Sequence, residues 1–214
     1  MSINIHAMKH YSEPNLNAPP PVKESSLELV AKTLQSGCVY RREDLVQVSN
    51  AVDRHLGMLV KAGLLQKLAQ GLYYAPKKSA FGIVPPADQA LVKKFLNDQD
   101  FLVFSPSSYN TLGFGTTQLY NKTIVYNHKR HGLFSFGNRE FDFRVKPRFP
   151  KRLTPEFLMV DALNNIDSLA EDKDSILKRV EQKLVDYDQV KLCRAIEDFG
   201  SVATRKRFKR WLNA

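Results

Sequence analysis

Asn50, Asp53, Arg54, Gly57 and Lys61 recur at spacings of three and four residues, so a helix over this stretch carries all five on one side. Amide, carboxylate, guanidinium and ammonium groups bond base edges or phosphate oxygens, and a glycine among them lets the backbone approach a groove wall. Ser49 before them and Lys67 and Gln70 after them extend the set. A second constellation is Glu140, Asp142, Arg144 and Lys146, which alternate along one segment. Carboxylates with a lysine on neighbouring strands can hold Mg²⁺ against a phosphate, which is nuclease chemistry; the same alternation also describes a solvent-facing strand laced with ion pairs. His128 and His131 have an H-x-x-H spacing, but zinc needs further ligands and no cysteine pair or nearby acid completes the set. Ser107 and Ser108 lack the glycine-flanked turn that exposes a nucleophile, and His55 reads as a phosphate or water contact. The expectation is a binder of duplex DNA, not an enzyme, with no metal and no cofactor.

The elements that would hold the first set are legible around it. Ser49 is an N-cap candidate, so the helix is expected to begin near Asn50, with Asp53 placing negative charge in its first part. Val52, Leu56, Leu59 and Val60 form the apolar stripe opposite the polar side, and Ala62-Gly63 supplies a stop. Upstream, Leu27, Val30, Ala31 and Leu34 are in helical period before Gly37, and a shorter helix is expected from Arg41 to Val48. Downstream, LLQKLAQGLYYAP alternates around Gln70-Gly71, which predicts a two-stranded wing with Lys67 and Gln70 near its tip. This is the order of a winged helix-turn-helix. An amphipathic packing helix exposes polar residues too, and a three-helix unit without a ligand is the plainer alternative.

The chain has 214 residues, 43% of them hydrophobic, and a formal net charge of +10, which favours a polyanionic partner. Lys129, Arg130, Arg139, Arg144, Lys146, Arg148, Lys151 and Arg152 crowd one segment as a possible second basic surface, and RKRFKR spans Arg205 to Arg210. Residues 1–22 are rich in Asn and Pro without apolar period and read as a flexible tail. Neither a secretory signal nor a membrane-spanning run is expected, and the cytoplasm is the expected location. Cys38 and Cys193 are far apart in sequence, with Cys193 on a helix, and read as buried free thiols.

Three regions are expected: the tail over 1–22, the winged helix over 23–80, and an α+β domain over 81–214 with a small mixed or antiparallel sheet and C-terminal helices. Its boundary falls near Lys77 to Pro86, IVPPADQALVKKFLND reads as a loop leading into a helix, and Phe101 to Phe104 as a short buried strand. Ser105 and Pro106 open a further helix that ends at Gly113 and Gly115; GFG follows the helix and so fails as a phosphate cradle. Lys122 to Asn127 is strand-like, and a hairpin turns at Gly137-Asn138, with Phe134 and Phe136 facing one way on its first strand and Phe141, Phe143 and Val145 on its second. Strict alternation makes these rings core instead of a platform for single-stranded nucleic acid. Thr154-Pro155 caps the next helix, Ile176, Val180 and Leu184 form one stripe, Val190, Cys193, Ile196 and Phe199 another, and Ser201 caps a last helix bearing Trp211.

YRREDL, AVDRHLGMLVKAGLL and LAQGLYYAP together resemble the N-terminal winged-helix domain of AbiEi-type antitoxins of bacterial type IV toxin-antitoxin systems, together with related DUF6088-like proteins. The resemblance continues more loosely through SPSSYNTLGFGTTQLYNKTIVYN and GNREFDFR, covering about Ser26 to Asn165. It implies a transcriptional regulator that binds repeats in its own promoter and opposes a cognate nucleotidyltransferase-like toxin without a lasting complex. The DNA-contact role then falls on Ser49, Asn50, Asp53, Arg54 and Lys61 of the helix and on Lys67 and Gln70 of the wing.

Overall fold

The computed structural model describes residues 25–114 and 116–212 of the chain. The expected tail over 1–22 lies outside the described residues, as does Gly115 of the expected glycine stop.

Helix α1 (Ser26–Thr33) starts on a reciprocal cap in which Ser25 and Glu28 satisfy each other's backbone amides. Strand β1 (Val39–Arg41) leads into the short helix α2 (Arg42–Leu45) and a 3₁₀ turn (Val46–Val48). Helix α3 (Val52–Lys61) then begins two residues later than expected, because Ser49 does not cap it: Ala51 stands at the N-cap position without a side-chain hydrogen bond. Ser49 is instead buried, its hydroxyl accepting from the Ala51 amide at 3.1 Å and bonded to His55 Nδ1 at 2.7 Å. Val30, Leu45, Val52, Leu56, Leu59, Leu65 and Tyr73 form the core beneath these helices. Leu56 is fully buried, and truncating such a leucine to alanine costs about 2–5 kcal/mol.

After α3, Gly63 takes a positive φ of 72° and the chain enters β2 (Gln66–Ala69) and β3 (Leu72–Tyr74), joined at Gly71 with φ 71°. The sheet order is β1-β3-β2, antiparallel throughout. β3 is buried on both sides: Tyr73 enters the core of the helices, while Leu72 and Tyr74 enter a second core with Leu91, Val92, Phe136, Phe141 and Phe143. A strand alternating toward two different cores joins the two halves of the chain, and this second core runs across the boundary expected near residue 80.

Where a domain boundary was expected, the chain forms another hairpin, β4 (Lys77–Ser79) and β5 (Gly82–Val84), both exposed. Helix α4 (Asp88–Leu96) follows and ends at Asn97 in the left-handed conformation. Strands β6 (Phe101–Phe104), β7 (Lys122–Asn127), β8 (Gly132–Phe136) and β9 (Arg139–Val145) make a mixed sheet ordered β6-β7-β9-β8, with β7 and β9 parallel. The Ser105-capped segment is a 3₁₀ helix (Pro106–Leu112) ending at Gly113 with φ 69°. The side of the sheet bearing Val125, Phe141 and Phe143 packs with α4 and the β1-β3-β2 sheet; Leu102, Phe104, Ile124 and Tyr126 meet the C-terminal helices.

Those helices are α5 (Pro155–Asn164), α6 (Lys173–Lys183), α7 (Gln189–Phe199) and α8 (Val202–Leu212). Thr154 caps α5 as expected, accepting from the Phe157 amide, and Ser201 accepts from Thr204 at the start of α8. α5 is buried from Phe157 to Leu163, as a helix apolar on nearly every side must be. On α7 the expected stripe is displaced: Leu192, Ala195 and Ile196 are buried, whereas Val190 is 75% exposed and Cys193 is exposed. Cys38 is half-buried, so both thiols are free but neither lies in a core. Val145 likewise leaves the sheet end exposed, beyond Phe141 and Phe143. The chain is thus an α+β fold with antiparallel and mixed sheets, and no helix among the described residues is long and apolar enough to cross a membrane.

Candidate nucleic-acid interface

With Val52, Leu56 and Leu59 turned inward, α3 presents Asn50 (just before it), Asp53, Arg54, Gly57, Met58 and Lys61 to the outside. Among the described residues Arg54 and Lys61 make no ion pair and the Asn50 side chain makes no hydrogen bond. Asn50, Arg54 and Met58 border a shallow hollow of about 370 Å³ shared with Ser25 and Ser26 at the start of α1. A β-carbon at Gly57 would meet nothing within 4 Å, so no protein group demands a glycine there.

Two of the expected contact residues are otherwise engaged. Ser49 faces inward, and its partner His55, expected to reach a phosphate or water, is 6% exposed. Asp53 remains exposed but is gripped by Arg42, whose Nε and Nη2 each donate to one carboxylate oxygen at 2.6 Å. That fork lowers the Asp53 pKa and raises that of Arg42. It also makes the aspartate a buttress, tying the start of α2 to the start of α3. Arg42 therefore borders this candidate surface, and sequence spacing does not reveal it, because its partner is eleven residues away, outside any helical spacing. The Arg42 amide donates to Gly71 O at 2.9 Å, bringing the β2–β3 turn to the same end of α3. At that turn Lys67 Nζ donates to Gln70 Oε1 at 3.0 Å, and both side chains are exposed. Asn50, Arg54, Lys61, Lys67 and Gln70 thus share the exposed surface of α3 and its adjoining ribbon. The ribbon is not a free flap, since Leu68 O accepts from the Gly137 amide of the β8–β9 turn.

The second basic surface is largely spoken for. Arg139 donates to Asp88 at 2.6 Å and to Pro86 O, and lies over the Phe141 ring. Arg144 holds Asp142 Oδ2 through Nε and Nη2, and its Nη1 donates to Asn165. Lys129 pairs with Asp98 at 2.8 Å, drawing that carboxyl down to a pKa of about 2 with help from the Asp100 and Gln99 amides. Arg130 lies over Phe95, Lys146 over Tyr126, and Arg148 is 3.7 Å from Asp198. Lys151 and Arg152 stand exposed in the loop before α5. Ion pairs or ring contacts within the fold thus engage six of these eight cations, while Lys129, Arg130, Arg148, Lys151 and Arg152 remain exposed. The same ties bear on the Mg²⁺ constellation: Arg144 occupies Asp142, leaving Glu140 as the exposed carboxylate, with Lys146 laid on Tyr126. Among the described residues no three His, Cys, Asp or Glu side chains gather as a metal site.

The α+β architecture as a whole has a counterpart among solved structures. The chain is similar in fold to the crystal structure of the RV2827C protein from Mycobacterium tuberculosis, with a TM-score of 0.55 at 16% identity over 87% of this chain and 74% of that one. At that identity the likeness concerns fold alone. No protein-family model and no curated protein matches the sequence.

Proposed function

We propose that this chain is a DNA-binding transcriptional regulator whose N-terminal part is a winged helix-turn-helix. The element order helix, strand, helix, helix, strand, strand supports this, with α3 as the recognition helix and β2–β3 as the wing. The observation that carries the reading is the division of α3: one side sealed by Val52, Leu56 and Leu59, the other leaving Asn50, Arg54 and Lys61 exposed, and without an ion pair among the described residues, beside Lys67 and Gln70. A net charge of +10 supplies the attraction for phosphate. On the resemblance of its sequence to AbiEi-type antitoxins, we further assign it to the cytoplasm, as a repressor of its own promoter repeats that opposes a nucleotidyltransferase-like toxin without a lasting complex.

Fluorescence anisotropy with labelled duplex from the chain's own upstream region tests the DNA reading. Replacing Arg54 and Lys61 together by alanine should weaken binding by more than tenfold and flatten the dependence of log affinity on log salt by about two. Tight binding that survives both replacements removes α3 from the interface. The antitoxin assignment requires a nucleotidyltransferase-like reading frame beside this one, and co-expression with its product tests it: the assignment fails if no such frame adjoins or if growth arrest is not relieved.

A further inference from the structure

Among the described elements, the strands of the β4–β5 hairpin are exposed at every position. Its register is Lys77↔Val84, Lys78↔Ile83 and Ser79↔Gly82, so Ala80 and Phe81 form the tip. Phe81 is fully exposed, Ile83 is 57% exposed and Val84 37%. Such a two-stranded ribbon is marginal by itself, and this one is held at its base. The buried Tyr74 donates its hydroxyl to Val84 O and accepts from the Lys77 amide, and Ser36 Oγ donates to Pro76 O at 3.1 Å. The tip is ordered as well: Ser79 Oγ accepts from the Phe81 amide at 3.2 Å and donates to Gly82 O at 3.0 Å, with Gly82 at φ 112°. An arm fixed at both ends therefore holds a phenyl ring out in solvent, at an unfavourable hydration cost that contact with a partner would remove.

Charge identifies the partner. Lys77 and Lys78 are exposed on the arm, and from Lys77 to Ala87 no carboxylate offsets them. The base lies at the opposite end of α3 from the wing: Lys78 borders a hollow of about 500 Å³ with Ala62, Gly63 and Leu64, just past the helix's last turn. On the DNA-binding reading, with the roughly 15 Å of α3 set in a major groove, an arm beyond its C-terminal end is within reach of the neighbouring backbone and minor groove. We infer that the β4–β5 hairpin is a second DNA-contacting arm, with Lys77 and Lys78 on phosphates and the Phe81 ring wedged at a base step of the minor groove. Proteins that bend duplexes use apolar wedges on basic ribbons in this way. Pairing of two such arms through β4 sets lysines against lysines, which disfavours a second copy on that edge; β5 carries no lysine, so self-association through it is left as an outcome of the test.

This inference rests on the DNA-binding reading, and one set of measurements separates the two. The full chain is titrated against a duplex of about 40 base pairs from its own upstream region, end-labelled so that energy transfer reports bending. Replacing Lys77 and Lys78 by alanine should weaken binding about tenfold and lower the salt slope by about two; Phe81→Ala should leave the slope unchanged and abolish the bend. Phe81 makes no buried contact, so its variant folds, and thermal melting verifies this. If the hairpin variants bind and bend as wild type while the Arg54 and Lys61 pair abolishes binding, the arm is overturned and the helix stands. If no variant matters because wild type does not bind, both fall. A wild-type dimer that becomes monomeric with Phe81→Ala, at unchanged DNA affinity and bend, assigns the arm to self-association and overturns the inference.

Discussion

Asp161 is 2% exposed inside α5, where Tyr109 and Tyr126 donate their hydroxyls to its two oxygens at 2.7 and 2.8 Å. These bonds clamp α5 to the 3₁₀ helix and to β7. Burial raises the Asp161 pKa above its ordinary 3.8 despite the two hydroxyls and the nearby Lys146 and Arg144 charges. The folded protein therefore keeps the proton over a range of pH in which the unfolded chain has released it. The associated stability is fully present below pH 3.8 and is lost as pH rises through the folded-state value. Urea unfolding of wild type and Asp161→Asn at several pH values should show the wild type's advantage shrinking from pH 3.5 toward neutrality, each tenfold change in proton affinity amounting to about 1.4 kcal/mol. A gap that does not vary with pH contradicts this account of Asp161. The sequence does not betray a residue of this kind. Asp161 sits in an apolar run with partners 35 and 52 residues away, just as Ser49 and His55, polar by type, face each other indoors. Side-chain chemistry names what a residue can bond, whereas direction depends on a core assembled from distant segments.

At the scale of elements, α3 carries a glycine in mid-helix with open space over it. Alanine in its place stabilises a helix by about 0.5–1 kcal/mol. Gly57→Ala should accordingly raise the melting temperature by about 2 °C while weakening DNA binding, if the backbone there approaches a groove wall. A melting rise with unchanged affinity contradicts that close approach. Helices and strands whose signals are local were legible: the Thr154 and Ser201 caps, the Gly63 stop, the Gly137-Asn138 turn and the alternation of Phe141 and Phe143 all stand where their residue types imply. The β4–β5 hairpin was not, because KKSAFGIV lacks alternation and its base is pinned by Tyr74, which belongs to another strand. The α7 stripe slipped because Val190, Cys193 and Leu192 are all apolar, and only contact with α5 and α8 chooses among them.

At the scale of the whole molecule, the ribbon beside α3 is braced from behind. Leu68, Leu72 and Tyr74 share a core with α4 and the four-stranded sheet, Arg139 ties the β8–β9 turn to Asp88, and Lys94 ties α4 to Asp44 of α2 at 2.7 Å. This bracing holds the ribbon beside α3 in place, and on the proposed DNA-binding reading it would lower the ordering cost of docking on a rigid duplex. Composition announced a basic protein, but which cations face outward could not be read, since pairing partners such as Asp88 and Asp98 come from other elements. The central claim is that α3 lies in the groove. Amide hydrogen exchange of the full chain with and without duplex from its own upstream region tests it most directly. The account predicts added protection over residues 50–61 and 67–71; protection confined to the β8–β9 hairpin or to α8, with α3 exchanging as in the free protein, would contradict it.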